Sequence, residues 1–148
     1  MATDLVLAIL HHILVFGLVT LIVSEALLLR SDLNARMIDR LTRLDRSYGM
    51  TAMLVTVVGV LRVIFGLRGY QYYLGNPWFF AKMASFVAIG LLSIRPTMRF
   101  SAWSRAVRND PAFVPTAGEV TSTIQYLRAE SVFVVLVLIF AATMARFG

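Results

Sequence analysis

The sequence contains no cysteine. That excludes disulfides, iron–sulfur clusters and thiolate metal sites. It contains one lysine, Lys82, among fourteen basic residues, and only two histidines, the adjacent His11 and His12. Charge is scarce: charged residues make up 15% of the chain, against about 25% in a soluble domain. A Lys/Arg-rich leader is missing, and the first charge is Asp4. The apolar stretch behind it is too long for the core of a signal peptide and carries no small-residue cleavage site. It is expected to be a retained helix. No internal repeat and no low-complexity tract is found.

Hydrophobic residues make up 59% of the chain, gathered in four blocks. Roughly 18 to 20 apolar residues cross a hydrocarbon core. Spans are expected at about 5–29, 48–65, 78–94 and 129–145, with Pro96 ending the third. The expected fold is all-α: one membrane domain over 1–148, a four-helix transmembrane bundle. In a soluble protein a net charge of +6 would point to nucleic acid. Here the arginines flank apolar segments, so the partner is the lipid bilayer.

Three links join the spans. In the first, Leu33, Met37, Leu41 and Leu44 recur at helical spacing between charges, which predicts an interfacial amphipathic helix. The second, GLRGYQYYLGNP, holds Tyr70, Tyr72 and Tyr73 and leads into Trp78, as an aromatic belt does. The third predicts a helical extension, MRFSAWSRAVR, broken by DPAFVP. The first and third links with their edges hold ten arginines, and the second holds only Arg68. The positive-inside rule therefore places the first and third links in the cytoplasm and both termini in the periplasm of a bacterial inner membrane.

Ionisable groups inside a span cost about 2.5–3.5 kcal/mol each on insertion scales, so each needs a partner or a use. Depth counting sorts them into two layers. His11, His12, Arg62, Lys82 and Met144 fall near the outer surface, His11, Arg62 and Lys82 being roughly 6–9 Å below the ends of their spans. Glu25, Asp45, Arg46, Arg95 and Glu130 fall at the cytoplasmic level. Glu25 follows His11 by fourteen residues and returns to within about 40° of its face, whereas His12 points about 100° away. His11 is therefore the better candidate for the bundle interior. Lys82, Ser85, Ile89 and Ser93 share one face of the third span, and Glu130 and Met144 share one face of the fourth.

The outer layer has the donors of a haem b site. Imidazole from His11 or His12 is a common axial ligand, and Met144 or Lys82 can supply the second. Arg62 and Lys82 suit the propionates. Adjacent histidines on one helix cannot reach both faces of one iron, so bis-His ligation would need two chains. The competing reading makes the histidines hydrogen-bonded packing residues, with Arg62 and Lys82 snorkelling outward. The inner layer has a structural reading: Glu25 and Glu130 pair with Arg46, Arg95 or Arg128 and fix the register.

HHILVFG, RLTRLDRSYG, GVLRVIFGLRGYQYYLGNPWFFAK and LLSIRPTMRF resemble an uncharacterised family of short bacterial inner-membrane proteins, a domain of unknown function. That resemblance covers nearly the whole chain and implies four helices without an activity. A looser resemblance is to the HemJ-type protoporphyrinogen oxidases, small haem b membrane proteins with a functional His early in the first helix and a functional Lys in a W-x-x-x-K-like context. The matching positions are His11 or His12 and Lys82 within WFFAKM. The first-helix motif lacks that family's aromatic-rich continuation. This resemblance implies His11 (or His12) as axial ligand, Lys82 as second ligand or catalytic residue, and electron transfer or porphyrinogen oxidation as the function. The residues leave enzymatic and non-enzymatic readings open. The alternative is a cofactor-free structural or accessory subunit of a larger membrane complex, or a homo-oligomer. A proton-conducting role for Glu25 and Lys82 is disfavoured by the apolar middle and the lack of a broken helix.

Overall fold

Three of the five helices start at a capping signal that the sequence carries. In the computed structural model, which describes residues 2–147, the chain forms five helices and no strand among the described residues. They are α1 (Ala2–Leu28), α2 (Ala35–Phe65), α3 (Gly69–Leu74), α4 (Pro77–Asn109) and α5 (Ala117–Phe147). All except α3 are long and apolar enough to cross a membrane, so the all-α transmembrane bundle is as expected. Of the domain expected over 1–148, residues 1 and 148 lie outside the described residues.

Asn34 caps α2 by accepting from the Met37 backbone N–H. Asn76 does the same for α4 through Trp78, with Pro77 in the first helical turn, where its missing N–H costs nothing. Thr116 and Glu119 form a reciprocal capping box at α5. The Glu119 N–H donates to the Thr116 hydroxyl, and the Thr116 N–H donates to the Glu119 carboxylate. That backbone hydrogen bond, above all other influences, holds the Glu119 carboxyl below its ordinary range. Arg99 of α4 reaches the same carboxylate at 2.8 Å and ties the two helices. Gly69 opens α3 with φ 72°, the left-handed region that favours glycine.

Two expectations are corrected. The first link is not a separate interfacial helix, because Ala35–Phe65 is one continuous helix. No glycine or proline interrupts its first turns, and its apolar residues bury against protein rather than lipid. Ile38 and Leu41 pack with Leu33, Phe100 and Trp103 in a core beyond the apolar spans. Pro96 does not end α4, which runs on to Asn109. A proline leaves one carbonyl without its helical donor and normally kinks or breaks a helix. Here Pro96 is buried in the bundle, where packing from neighbouring helices holds the turn. The extension over MRFSAWSRAVR forms as expected and stops at Asp110.

At 1.5 Å per residue, α2 and α4 are each about 46–50 Å long, well beyond the roughly 30 Å hydrocarbon core. They project at the end where ten arginines gather, called here the Arg-rich end. The opposite, Tyr-rich end carries α3. Packing order around the bundle is α1, α2, α4, α5, so that α1 faces α4, and α2 faces α5, across the diagonals. The α1/α2 pair runs in antiparallel register: the Leu67 N–H donates to Asp4, His11 lies against Gly59, and Gly17 lies against Thr51. The α4/α5 pair is pinned by Arg99–Glu119 at one end and by Trp78 stacked on Phe140 near the other. The outward faces are apolar, with Ile13, Phe16, Val57, Val87, Leu91 and Ile139 all exposed as lipid-facing residues are.

Candidate functional site

The bundle interior carries two polar layers, one toward each end. The layer nearer the Tyr-rich end is built on a close approach of α1 to α2. A Cβ placed on Gly59 would lie 3.5 Å from Cε1 of His11, so the imidazole rests almost on the α2 backbone. Arg62 lies three residues further along, on the same face of α2. Lys82 comes from α4, and its Nζ stands 5.6 Å from the centre of the Phe79 ring, within cation–π range. The charges of Lys82, Arg62 and His12 all bear on the His11 ring, and that of Arg62 bears on Lys82.

This layer is cationic and has no acid. Neither ion pair among the described residues includes Arg62 or Lys82. Nδ1 of His11 and Nε of Arg62 are buried without a hydrogen-bond partner. Asp4, the nearest acid along α1, is occupied by the Leu67 N–H. An imidazole with a free ring nitrogen beside two uncompensated cations is suited to an anionic ligand that also carries an electrophilic centre.

The expected members of this layer do not all arrive. His11, Arg62 and Lys82 are brought together and are half-buried. His12 is exposed, and its Nδ1 lies 2.7 Å from the Ala8 carbonyl. Its ring stands nearly perpendicular to that of His11, with centroids 6.4 Å apart. The 100° helical step between neighbours accounts for the separation. Met144 enters through its backbone, its carbonyl accepting from the Tyr72 hydroxyl at 2.9 Å. Among the described residues no group of three or more His, Asp or Glu is placed to hold a metal ion.

The second layer lies nearer the Arg-rich end. Glu25 of α1 and Glu130 of α5 are 3% and 2% exposed. The Tyr48 hydroxyl of α2 donates to Glu130 Oε2 at 3.0 Å, and the Thr97 hydroxyl of α4 donates to Asp45 at 2.8 Å. The carboxyls of Asp45 and Glu130 bear electrostatically on Glu25. All four spanning helices therefore contribute to one cluster. The expected pairing of Glu25 and Glu130 with Arg46, Arg95 or Arg128 is not found, and all three arginines are exposed. Their long side chains keep the guanidinium in the polar region, where hydration is retained. Drawing it inward would incur the desolvation cost of a buried ion pair.

Sequence reasoning placed Glu25, Asp45 and Glu130 at one level but missed Tyr48, Thr97 and Gly59. A signal for Tyr48 is present: it follows Asp45 by three residues and so shares its helix face. Gly59 is visible only through the α1/α2 register. Comparison with curated proteins and with solved structures gives no match. Residues 3–148 match the family described as "Predicted membrane protein (DUF2214)". Matched over nearly its whole length and carrying the apolar helices that description requires, the chain belongs to this family of membrane proteins of unknown function.

Proposed function

We propose that the outer layer binds haem b, with His11 as axial ligand and Arg62 and Lys82 as partners for the propionates. The observation that carries this reading is the buried, unpartnered Nδ1 of His11 beside two cations that lack an acid. The donor set fits the group: imidazole for iron, guanidinium and ammonium for carboxylates. His12 turns away, so any further protein ligand to the iron would have to come from Lys82, from Met144 or from a second copy of the chain. When bound, haem supplies one-electron redox chemistry. The chain's own residues would then orient it through His11 and neutralise its acid groups through Arg62 and Lys82. Lys82 is the residue proposed for catalysis, should the protein oxidise a porphyrinogen. The gathering of ten arginines at one end supports an inner-membrane orientation with both termini periplasmic.

The test is an absorption spectrum of the detergent-purified protein, expressed with haem supplied. A Soret band that His11→Ala removes and His12→Ala leaves is the expected result. A colourless wild-type protein overturns the proposal.

A second reading, an accessory subunit of a larger membrane complex, is favoured by a groove of about 450 Å³ at the Arg-rich end. It lies between the projecting parts of α2 and α4, where Asp39 pairs with Arg43 and leaves Arg46 and Arg108 to face an acidic segment of a partner. Stable co-purification with a larger protein, unaffected by Lys82→Ala, would favour it.

A further inference from the structure

The Glu25 layer has no part in the proposed cofactor site, lying about four helical turns from it along α1. Its composition is unusual for the inside of a membrane bundle: three carboxyls from three helices and no cation. Glu25 and Glu130 are almost fully buried, and one carboxyl oxygen of each, Oε1, has no hydrogen-bond partner. The titratable groups facing Glu25 are Asp45 and Tyr48 from α2 and Glu130 from α5. From α4 the cluster receives the Thr97 hydroxyl, which carries no charge. Three carboxylates cannot all stay ionised in such a setting. Like charges close together in a medium of low dielectric repel strongly, and each unpaired buried charge carries a large desolvation cost.

Something positive must therefore enter the layer. A metal ion would need ligands converging at short range, and no such group exists among the described residues. A proton needs only one free carboxyl oxygen, and both Glu25 and Glu130 present one. A route is also present. Asp45 is half-buried beside the exposed Arg46, at the edge of the polar region. A groove of about 270 Å³ between α2 and α4 is lined by Tyr48, Gly49, Gly90, Ser93 and Thr97. It brings open space to the two hydroxyls that hold Asp45 and Glu130.

We infer that Glu25, Asp45 and Glu130 form an intramembrane proton-binding site, loaded from the Arg-rich side through Asp45, with Tyr48 holding Glu130 in place. Uptake of one proton turns one carboxylate into a carboxylic acid and removes one negative charge from the bundle core. Release reverses it. No other reactant is needed, and the site works whether or not the outer layer holds a cofactor.

Infrared spectroscopy of the whole chain in lipid bilayers tests this. The expected result is a carboxylic-acid C=O band at neutral pH that exchanges in heavy water, fades reversibly as pH rises, and is lost or halved in Glu25→Gln. Tyr48→Phe, which keeps every carboxyl, should shift the frequency of the Glu130 component and the pH at which it titrates. This variant serves if Glu25→Gln fails to fold. Absence of the acid band at neutral pH overturns the inference. So does a band that neither exchanges nor titrates while the protein stays folded, which would mark fixed structural protons. Loss of the band on adding sodium or calcium ions at constant pH overturns it in favour of a metal cation.

Discussion

The Tyr48 hydroxyl reaches across the diagonal of the bundle, from α2 to α5, and donates to Glu130 at 3.0 Å. These helices do not pack directly on each other, so this hydrogen bond ties together the two helix pairs through their shared centre. Losing the donor leaves a buried carboxyl short of a partner, which costs about 1–3 kcal/mol. Tyr48→Phe should lower stability by that amount in thermal unfolding of the reconstituted protein. Glu130→Gln keeps an acceptor oxygen and should cost less.

Gly59 sets how closely His11 can approach α2. A methyl group there meets the His11 ring at an ordinary contact distance of 3.5 Å. Gly59→Ala should therefore be tolerated, and should gain up to about 0.5–1 kcal/mol from helix propensity. Gly59→Leu cannot fit without moving the imidazole. If haem is bound through His11, the Leu variant should lose the Soret band that the Ala variant keeps.

The core at the Arg-rich end rests on Phe100 and Trp103, which are 0% and 2% exposed. Trp103→Ala should cost about 3–5 kcal/mol, enough to loosen α4 from α5 beyond the apolar spans. Limited proteolysis near 110–115 would report it as faster cleavage.

Thr116→Ala should cost about 0.5–2 kcal/mol through loss of the α5 cap. The acid side of the same cap depends on pH. Because the folded state holds the Glu119 carboxyl below its ordinary range, its stabilisation is present above the unfolded carboxyl's pKa. It is lost as pH falls through the lower folded value. Glu119→Gln should flatten that part of the acid-unfolding curve.

The absence of cysteine provides a clean background for mapping orientation. Asp39 and Tyr70 are both exposed, at opposite ends of the bundle. With a membrane-impermeant thiol reagent on intact cells, Tyr70→Cys should label and Asp39→Cys should not. The reverse pattern would invert the proposed topology.

The four spans were legible because length and hydropathy alone select a membrane helix. The facing of Glu25 and His11 was legible because both follow from helical phase. What the sequence hid depends on contacts between helices. The leucines before Tyr48 carry the same periodicity whether they lie on lipid or, as here, on Phe100 and Trp103. Pro96 signals a break unless neighbouring helices support it. The arginines near Glu25 and Glu130 look like partners in one dimension, but their length lets them stay in the polar region. In the outer layer, His11 against Gly59 is a property of the α1/α2 register, which no single segment encodes.

Fourteen residues separate His11 from Glu25 on α1, Tyr48 from Arg62 on α2, and Glu130 from Met144 on α5. At helical rise this sets the two layers about 21 Å apart, less than the roughly 30 Å of an average hydrocarbon core. A bundle centred in such a bilayer would carry both layers just inside the acyl region, one toward each face. A bilayer of longer-chain lipids submerges them both, and one of shorter-chain lipids brings both toward the headgroups. The fixed spacing makes the protein's polar interior respond to membrane thickness, and lipid chain length becomes a variable that should tune both sites at once.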